Sequence, residues 1–220
     1  MGACRSIGAR GLPDVAVDLP DFGYDAPGTT TASFDDRLCE LLTSLEPAEP
    51  IVLVGHSFGA WVAARALARS PVPIARAVLI GGLPSMPAET AQAYRQGADA
   101  LQAGALPRAA FEASVLDAAF TADDPPAMRE LAASILARYP DDRLIRALRL
   151  VAALDDPLLG VERFDVPAVV LHGERDASVP PALGRALASL GSRAELEVWP
   201  GAGHMLPLTH AERVARAVYA

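Results

Sequence analysis

Three short stretches of this chain carry side chains that can together activate a hydroxyl for attack on a carbonyl. The pentapeptide Gly55-His56-Ser57-Phe58-Gly59 follows the apolar run Ile51-Val52-Leu53-Val54 and precedes the helical stretch Ala60 to Ala68, so a serine stands at a sharp strand-to-helix turn. Such a turn crowds the serine backbone, and the glycines two positions before and two after it, Gly55 and Gly59, are read as the residues that relieve the crowding. The helix that follows points its N-terminus at the serine, so the backbone N–H of Phe58 is placed to stabilise an oxyanion. A serine hydroxyl is a poor nucleophile until a base takes its proton, and the base works best when a carboxylate holds its second ring nitrogen. The chain has four histidines, His56, His172, His204 and His210. His56 sits inside the turn, and its side chain is expected to diverge from that of Ser57 and to serve packing.

The elements that must position these groups are strands ending in loops. Ala168 to Leu171 is a short apolar run that empties into His172-Gly173-Glu174-Arg175-Asp176, a loop with two carboxylates. Leu196 to Trp199 reads as another strand, Pro200-Gly201-Ala202-Gly203-His204 as the glycine-rich loop at its end, and a helix is expected from about Ala211. In a parallel sheet, reactive groups gather outside the carboxyl ends of the strands, which puts Ser57, Asp176 and His204 at one edge. His210 lies where the last helix begins, so a capping or surface role suits it, and His172 at a strand end reads as a hydrogen-bonded core residue.

The order Ser, Asp, His along the chain, the turn GHSFG, the loop LHGERD and the loop PGAGHMLPLTH together resemble the α/β-hydrolase superfamily. The stretch Val15-Ala16-Val17-Asp18-Leu19-Pro20-Asp21-Phe22-Gly23 adds a fourth likeness, to a strand and turn that the family usually writes DLPGFG; Asp21 stands in place of the glycine. The resemblance runs from about Pro13 to the C-terminus. It implies an α/β-hydrolase fold, a mainly parallel sheet flanked by helices, N-terminally short and interrupted by a helical cap. In that frame Ser57 is the nucleophile, His204 the general base and acid, and Asp176 the orienting carboxylate. Glu174, two residues before Asp176, is the rival read as a solvated loop charge. The expected layout is residues 1–83 as core with the serine turn, 84–160 as cap, and 161–220 as core with the acid and histidine loops.

The insertion begins at Leu83-Pro84-Ser85-Met86-Pro87, after a strand expected over Ala77 to Ile80. Helices are expected near Ala88 to Ala103, Pro107 to Phe120, Pro125 to Arg138 and Asp141 to Leu154, broken by Gly104, by Asp124-Pro125-Pro126 and by Pro140. As a cap it would supply the substrate pocket, with Met86, Tyr94, Phe111, Phe120, Met128 and Met205 as candidates; a Met or aromatic at helical spacing also suits plain core packing.

The start of the chain departs from the family. The residues before Pro13 are too few for the two or three strands that family members place there, and they hold no HG-type loop to supply a second oxyanion donor. The missing strand would lie between those of Val15 to Asp18 and Ile51 to Val54. An open gap is untenable, because each unpaired buried amide costs about 1–3 kcal/mol. Three expectations follow: a true start upstream of Met1, which we favour; a sheet re-registered around five parallel strands; or a partner chain completing the edge. Loss of one oxyanion donor would lower turnover by about 10²–10³ and leave the triad in place.

Composition narrows the partners. A chain of 220 residues builds one substantial core. A net charge of −8, with arginine as its sole non-histidine base and no basic cluster, disfavours nucleic acid and anionic membrane surfaces. No signal peptide or membrane-length apolar run is evident, and Cys4 and Cys39 form neither a disulfide framework nor a zinc spacing, which points to the cytoplasm. Cys39 falls in the helical pattern Phe34, Leu38, Leu41, Leu42, Leu45 and is expected to be buried. No metal cluster or phosphate loop is present, so no cofactor is expected. The resemblance implies a small-molecule hydrolase that cleaves a carboxylic ester, thioester or lactone through an acyl-enzyme on Ser57. Its likeness is to small carboxylesterases of the pimeloyl-carrier-protein methyl esterase type and to enol-lactonases. The alternatives are a weakly active or non-catalytic binding scaffold, and another chemistry on the same residues such as cofactor-free haloperoxidase or C–C hydrolysis.

Overall fold

The structure, a computed structural model, describes residues 3–7, 13–17, 19, 33–44, 51–70 and 72–219. At the start of the chain β1 (Ala3–Ile7) and β2 (Pro13–Val17) pair antiparallel as a two-stranded ribbon. The stretch before Pro13 carries one described strand, β1, and not the two or three that family members place there. The strand of Val15 to Val17 pairs with β1 and, among the described residues, not with the main sheet, which has four strands and not five. Asp18 and residues 20–23 lie outside the described residues, as does Leu45.

The helix α1 (Ser33–Ser44) leads to β3 (Ile51–His56), α2 (Phe58–Arg69) and β4 (Ile74–Ile80). Four helices then intervene: α3 (Ala88–Gln102), α4 (Arg108–Ala119), α5 (Pro126–Leu136) and α6 (Asp141–Ala152). Each opens directly after a proline, Pro87, Pro107, Pro125 or Pro140, whose fixed φ suits a helix entry where no N–H bond is needed. The chain returns through two 3₁₀ turns to β5 (Ala168–Gly173), α7 (Pro181–Ala188), β6 (Ala194–Trp199), the single turn α8 (Leu206–Thr209) and α9 (Ala211–Tyr219). The sheet order is β3-β4-β5-β6, all parallel. No helix among the described residues is long and apolar enough to cross a membrane.

Period-two alternation splits the sheet's side chains between two cores. Leu79 and Val170 face α1, α2 and α7, where they meet Phe34, Leu38, Trp61 and Leu187. Val78, Ile80, Val169 and Leu171 face the other way, against Trp199, Leu206 and Val214 of α9. β5 is buried along its whole length, as a strand covered on both faces must be. Cys39 is only partly buried, at the margin of the larger core.

The two ends of the helical insertion are stapled together: Met86 N–H donates to the Leu154 carbonyl at 2.9 Å and Val161 N–H to that of Pro84 at 3.0 Å. Inside it α3 packs on α6 through Ala98, Leu144 and Leu148. The exit is tied to α2 by Trp61 Nε1–H on the Leu159 carbonyl (3.1 Å) and Arg65 on that of Gly160 (3.0 Å).

The two glycines of the serine turn have different reasons. A Cβ on Gly55 would overlap the Gly59 carbonyl and lie 2.7 Å from Ala60 Cα, whereas a Cβ on Gly59 meets nothing within 4 Å. Crowding thus explains Gly55 and does not explain Gly59. Gly55→Ala is expected to cost about 3 kcal/mol through overpacking. Gly59→Ala is expected to be neutral or stabilising by up to about 1 kcal/mol through helix propensity, both read from urea unfolding midpoints.

Candidate active site

Ser57 is the one non-glycine residue at positive φ among those described, at φ 54° and ψ −120°. Such a conformation costs about 1–3 kcal/mol and persists only where neighbours over-determine it. Here Ser57 N–H donates to the Ile80 carbonyl at 2.8 Å, and its own carbonyl accepts from Ala60 and Trp61 at 2.9 and 3.3 Å, at the start of α2. The serine is partly open to solvent. Phe58 is the first residue of α2, so its N–H lies at the positive end of the helix dipole. Its ring is held between Phe34, edge-on at 5.2 Å, and Trp61, stacked at 5.4 Å. The link between β1 and β2 lies outside the described residues, and no second oxyanion donor is assigned.

Sheet register brings the other two groups to the same edge. His56, Ile80 and Leu171 are aligned across β3, β4 and β5, and Gly81 N–H continues the ladder to the Leu171 carbonyl at 2.8 Å. Beyond β5 and β6 the loops lock together through Glu174 N–H on the Trp199 carbonyl (3.0 Å) and Arg175 N–H on that of Ala202 (2.9 Å). Within them His204 Nδ1 lies 2.7 Å from Asp176 Oδ2, both side chains buried. The other Asp176 oxygen accepts from Val179 N–H at 2.8 Å. A carboxylate is an acceptor, so the proton sits on Nδ1 and leaves the lone pair of His204 Nε2 free to take a hydroxyl proton. Glu174 is engaged elsewhere, on Gly201 N–H at 2.9 Å.

Two residues that sequence reasoning passed over make this contact possible. Gly81, at φ +55°, lies so close that a Cβ would stand 3.0 Å from His204 Cε1 and Nδ1 and 3.6 Å from Asp176 Oδ2. The Gly81-Gly82 doublet at the end of β4 was the available signal. On Gly173, a Cβ would overlap the carbonyls of Gly203 and Ala202, so only glycine lets the two loops touch.

The remaining histidines take distinct places. His172 Nε2–H donates to the Val179 carbonyl at 2.7 Å and lies 3.5 Å from Asp176 Oδ2; its buried Nδ1 has no partner among the described residues, and Gly184 leaves space for the ring. His210 stands directly before α9, its carbonyl accepting from Arg213 and Val214, with its ring 5.6 Å from Trp199. His56 does more than pack: Nε2–H donates to the His204 carbonyl at 3.0 Å, with the rings 4.8 Å apart. Burial first, then electrostatic repulsion from the neighbouring His204 ring, lowers its pKa to about 4, so it is a neutral donor at pH 7.

The pocket candidates divide. Tyr94 is within electrostatic reach of Asp176: its hydroxyl pKa is raised by burial and then by that charge. Phe120 of the insertion clusters with Met128 and Met205, the residue after His204. Met86 is buried in the main core, and Phe111 packs with Ala98 and Leu144 inside the insertion, so these two serve packing.

The Alpha/beta hydrolase family profile matches residues 5–217. The chain belongs to that family. It is 28% identical, over 95% of its length and 81% of the relative's, to non-heme chloroperoxidase CPO-A1 of Kitasatospora aureofaciens. It is 32% identical, over 92% of its length and 81% of the relative's, to a pimeloyl-acyl-carrier-protein methyl ester esterase of Methylococcus capsulatus. An esterase from Exiguobacterium antarcticum superposes with a TM-score of 0.79 at 17% identity, covering 96% of this chain and 81% of that one, a likeness of fold.

The His56 shift has a stability consequence. Between about pH 4 and the ordinary value of 6.5 the unfolded chain binds the proton that folded His56 refuses, so this contribution is complete above pH 6.5 and is lost as pH falls toward 4. Its size is on the order of 3 kcal/mol. His56→Gln is expected to flatten that part of the stability profile, measured by urea unfolding at a series of pH values.

Proposed function

We propose that this member of the family is a serine hydrolase acting on a carboxylic ester, thioester or lactone. The observation that carries the reading is the buried 2.7 Å contact of His204 Nδ1 with Asp176 Oδ2, at the same sheet edge as the strained Ser57. In the acylation step His204 Nε2 takes the Ser57 proton while Oγ bonds to the carbonyl carbon. The carbonyl electrons move to oxygen beside the Phe58 N–H, and Asp176 stabilises the imidazolium. Collapse of the intermediate breaks the bond to the leaving oxygen or sulfur, which takes the proton from His204. Water, deprotonated by His204, then attacks the acyl carbon; the bond to Ser57 Oγ breaks, Oγ takes the proton back from His204, and the acid leaves. In this reading residues 84–160 form a cap with Tyr94, Phe120 and Met128 on its substrate side, and Met205 packs beside Phe120 from the core. The methyl ester esterase relative supports an acyl ester as substrate class.

The chloroperoxidase relative favours one second reading: hydrogen peroxide in place of water at the acyl-enzyme, giving a peracid that oxidises halide. Bromination of a dye by the protein with acetate, hydrogen peroxide and bromide would reveal it.

Hydrolysis of p-nitrophenyl butyrate and of a simple lactone tests the leading reading. Ser57→Ala and His204→Ala are each expected to lower kcat by about 10⁴ or more, and Asp176→Asn by about 10⁴, with KM little changed. Hydrolysis at the same rate by folded Ser57→Ala would overturn it.

A further inference from the structure

The His204 ring is held by Asp176, and its main chain is held from two further sides. Its carbonyl takes the His56 Nε2–H at 3.0 Å, and its N–H donates at 2.9 Å to the carbonyl of Ala119, the last residue of α4 in the helical insertion. The final carbonyls of a helix lack partners within it, so the His204 N–H satisfies a group that α4 leaves open. The turn that follows is closed by its own side chain. Asp124 Oδ2 accepts from Thr121 N–H at 2.6 Å and from Thr121 Oγ1 at 3.1 Å, and Asp124 N–H returns to the Thr121 carbonyl at 3.3 Å. Gly203 fills the seam: a Cβ there would stand 2.9 Å from Ala119 O, 3.2 Å from Thr121 Cγ2 and 3.4 Å from Asp124 Oδ2. On the other side of His204 in sequence, Met205 joins Phe120 and Leu116 in one apolar cluster. An ion pair of Arg175 with Asp123 at 2.9 Å also spans the seam, but both side chains are more than half exposed and it adds little.

We propose that Asp124 and Gly203 are positioning residues for His204. Asp124 shapes the 121–124 turn through Thr121, the turn aims the Ala119 carbonyl, and that carbonyl holds the His204 backbone so that its ring stays on Asp176. Neither residue touches reacting atoms. The kinetic part of this inference rests on the serine hydrolase reading; the positional part does not. A base displaced by about 1 Å loses up to about 10²-fold in rate, so the turn is a control point for turnover at a distance from the chemistry. An Asp124 that only stabilised the start of α5 would change the melting temperature and leave the imidazole unmoved.

Asp124→Ala, Asp124→Asn and Gly203→Ala separate these cases. The downfield proton of His204 Nδ1–H, followed in protein labelled with ¹⁵N-histidine, reports the Asp176 contact without any turnover. The rate at which a fluorophosphonate labels Ser57 reports its activation. The wild type and Asp124→Asn, which keeps an acceptor oxygen, are expected to show a sharp downfield proton. Asp124→Ala and Gly203→Ala are expected to lose it, with phosphonylation and kcat down about 10–100-fold and KM within about 3-fold. A sharp proton with wild-type rates in both substitutions would overturn the proposal. Should Asp124→Ala fail to fold, Gly203→Ala carries the same readouts. If wild-type protein reacts with neither ester nor phosphonate while the proton signal follows the expected pattern, the hydrolase reading falls and the positioning stands.

Discussion

A carboxylate buried next to an imidazole is the interaction that the rest of this structure has to accommodate. Removing Asp176 from water would be costly without compensation, and both of its oxygens are engaged, one by the Val179 amide and one by His204. Meeting that demand requires the loops after β5 and β6 to touch and the end of β4 to pass close behind them. Glycine at 173 and 81 supplies the room, since a side chain at either position would displace the loops or the ring. The parallel sheet contributes register: with His56, Ile80 and Leu171 level, the loops that follow these strands open over one edge. A strained serine is set at that edge by the same ladder, through its amide on the Ile80 carbonyl.

Much of this was legible because it is local. The apolar runs at Ile51, Ala77, Ala168 and Leu196 are short and bounded by Gly, Pro or charge, so their strand character survives tertiary context; the structure extends them, starting β4 at Ile74 and β6 at Ala194. Prolines marked the starts of the four inserted helices for a direct steric reason, and the expected and observed spans differ by a residue or two at their ends. The loops of Asp176 and His204 stand out in the sequence because each follows a short strand, one leading into two carboxylates and the other into a glycine-rich run. The pairing of β1 with β2 was not legible, since a five-residue strand with mixed side chains, ACRSI, carries no clear period.

What escaped sequence reasoning is long-range and backbone-mediated. Gly81 looks like any strand-end glycine until the ring of His204 is placed against it. His56 read as packing because a side-chain pattern cannot reveal a bond to a distant carbonyl. The link from Ala119 to His204 has no side-chain signature at all. Conversely, Gly59 fitted a motif and turned out to need no steric reason, and Phe111 and Met86 kept to the packing role that their spacing equally allowed. Family membership fixes the scaffold, and the relatives of this chain show that such a scaffold serves more than one chemistry, so activity is argued from Ser57, Asp176 and His204 themselves.

A crystal structure of the protein after reaction with a fluorophosphonate bears most directly on the central claim that His204 links Asp176 to Ser57. The expected adduct has phosphorus bonded to Ser57 Oγ, His204 Nδ1 still on Asp176, and His204 Nε2 within about 3.2 Å of one of its oxygens. Density for the phosphonyl group on another residue, or a His204 ring turned away from Ser57 with its Asp176 contact broken, would contradict it.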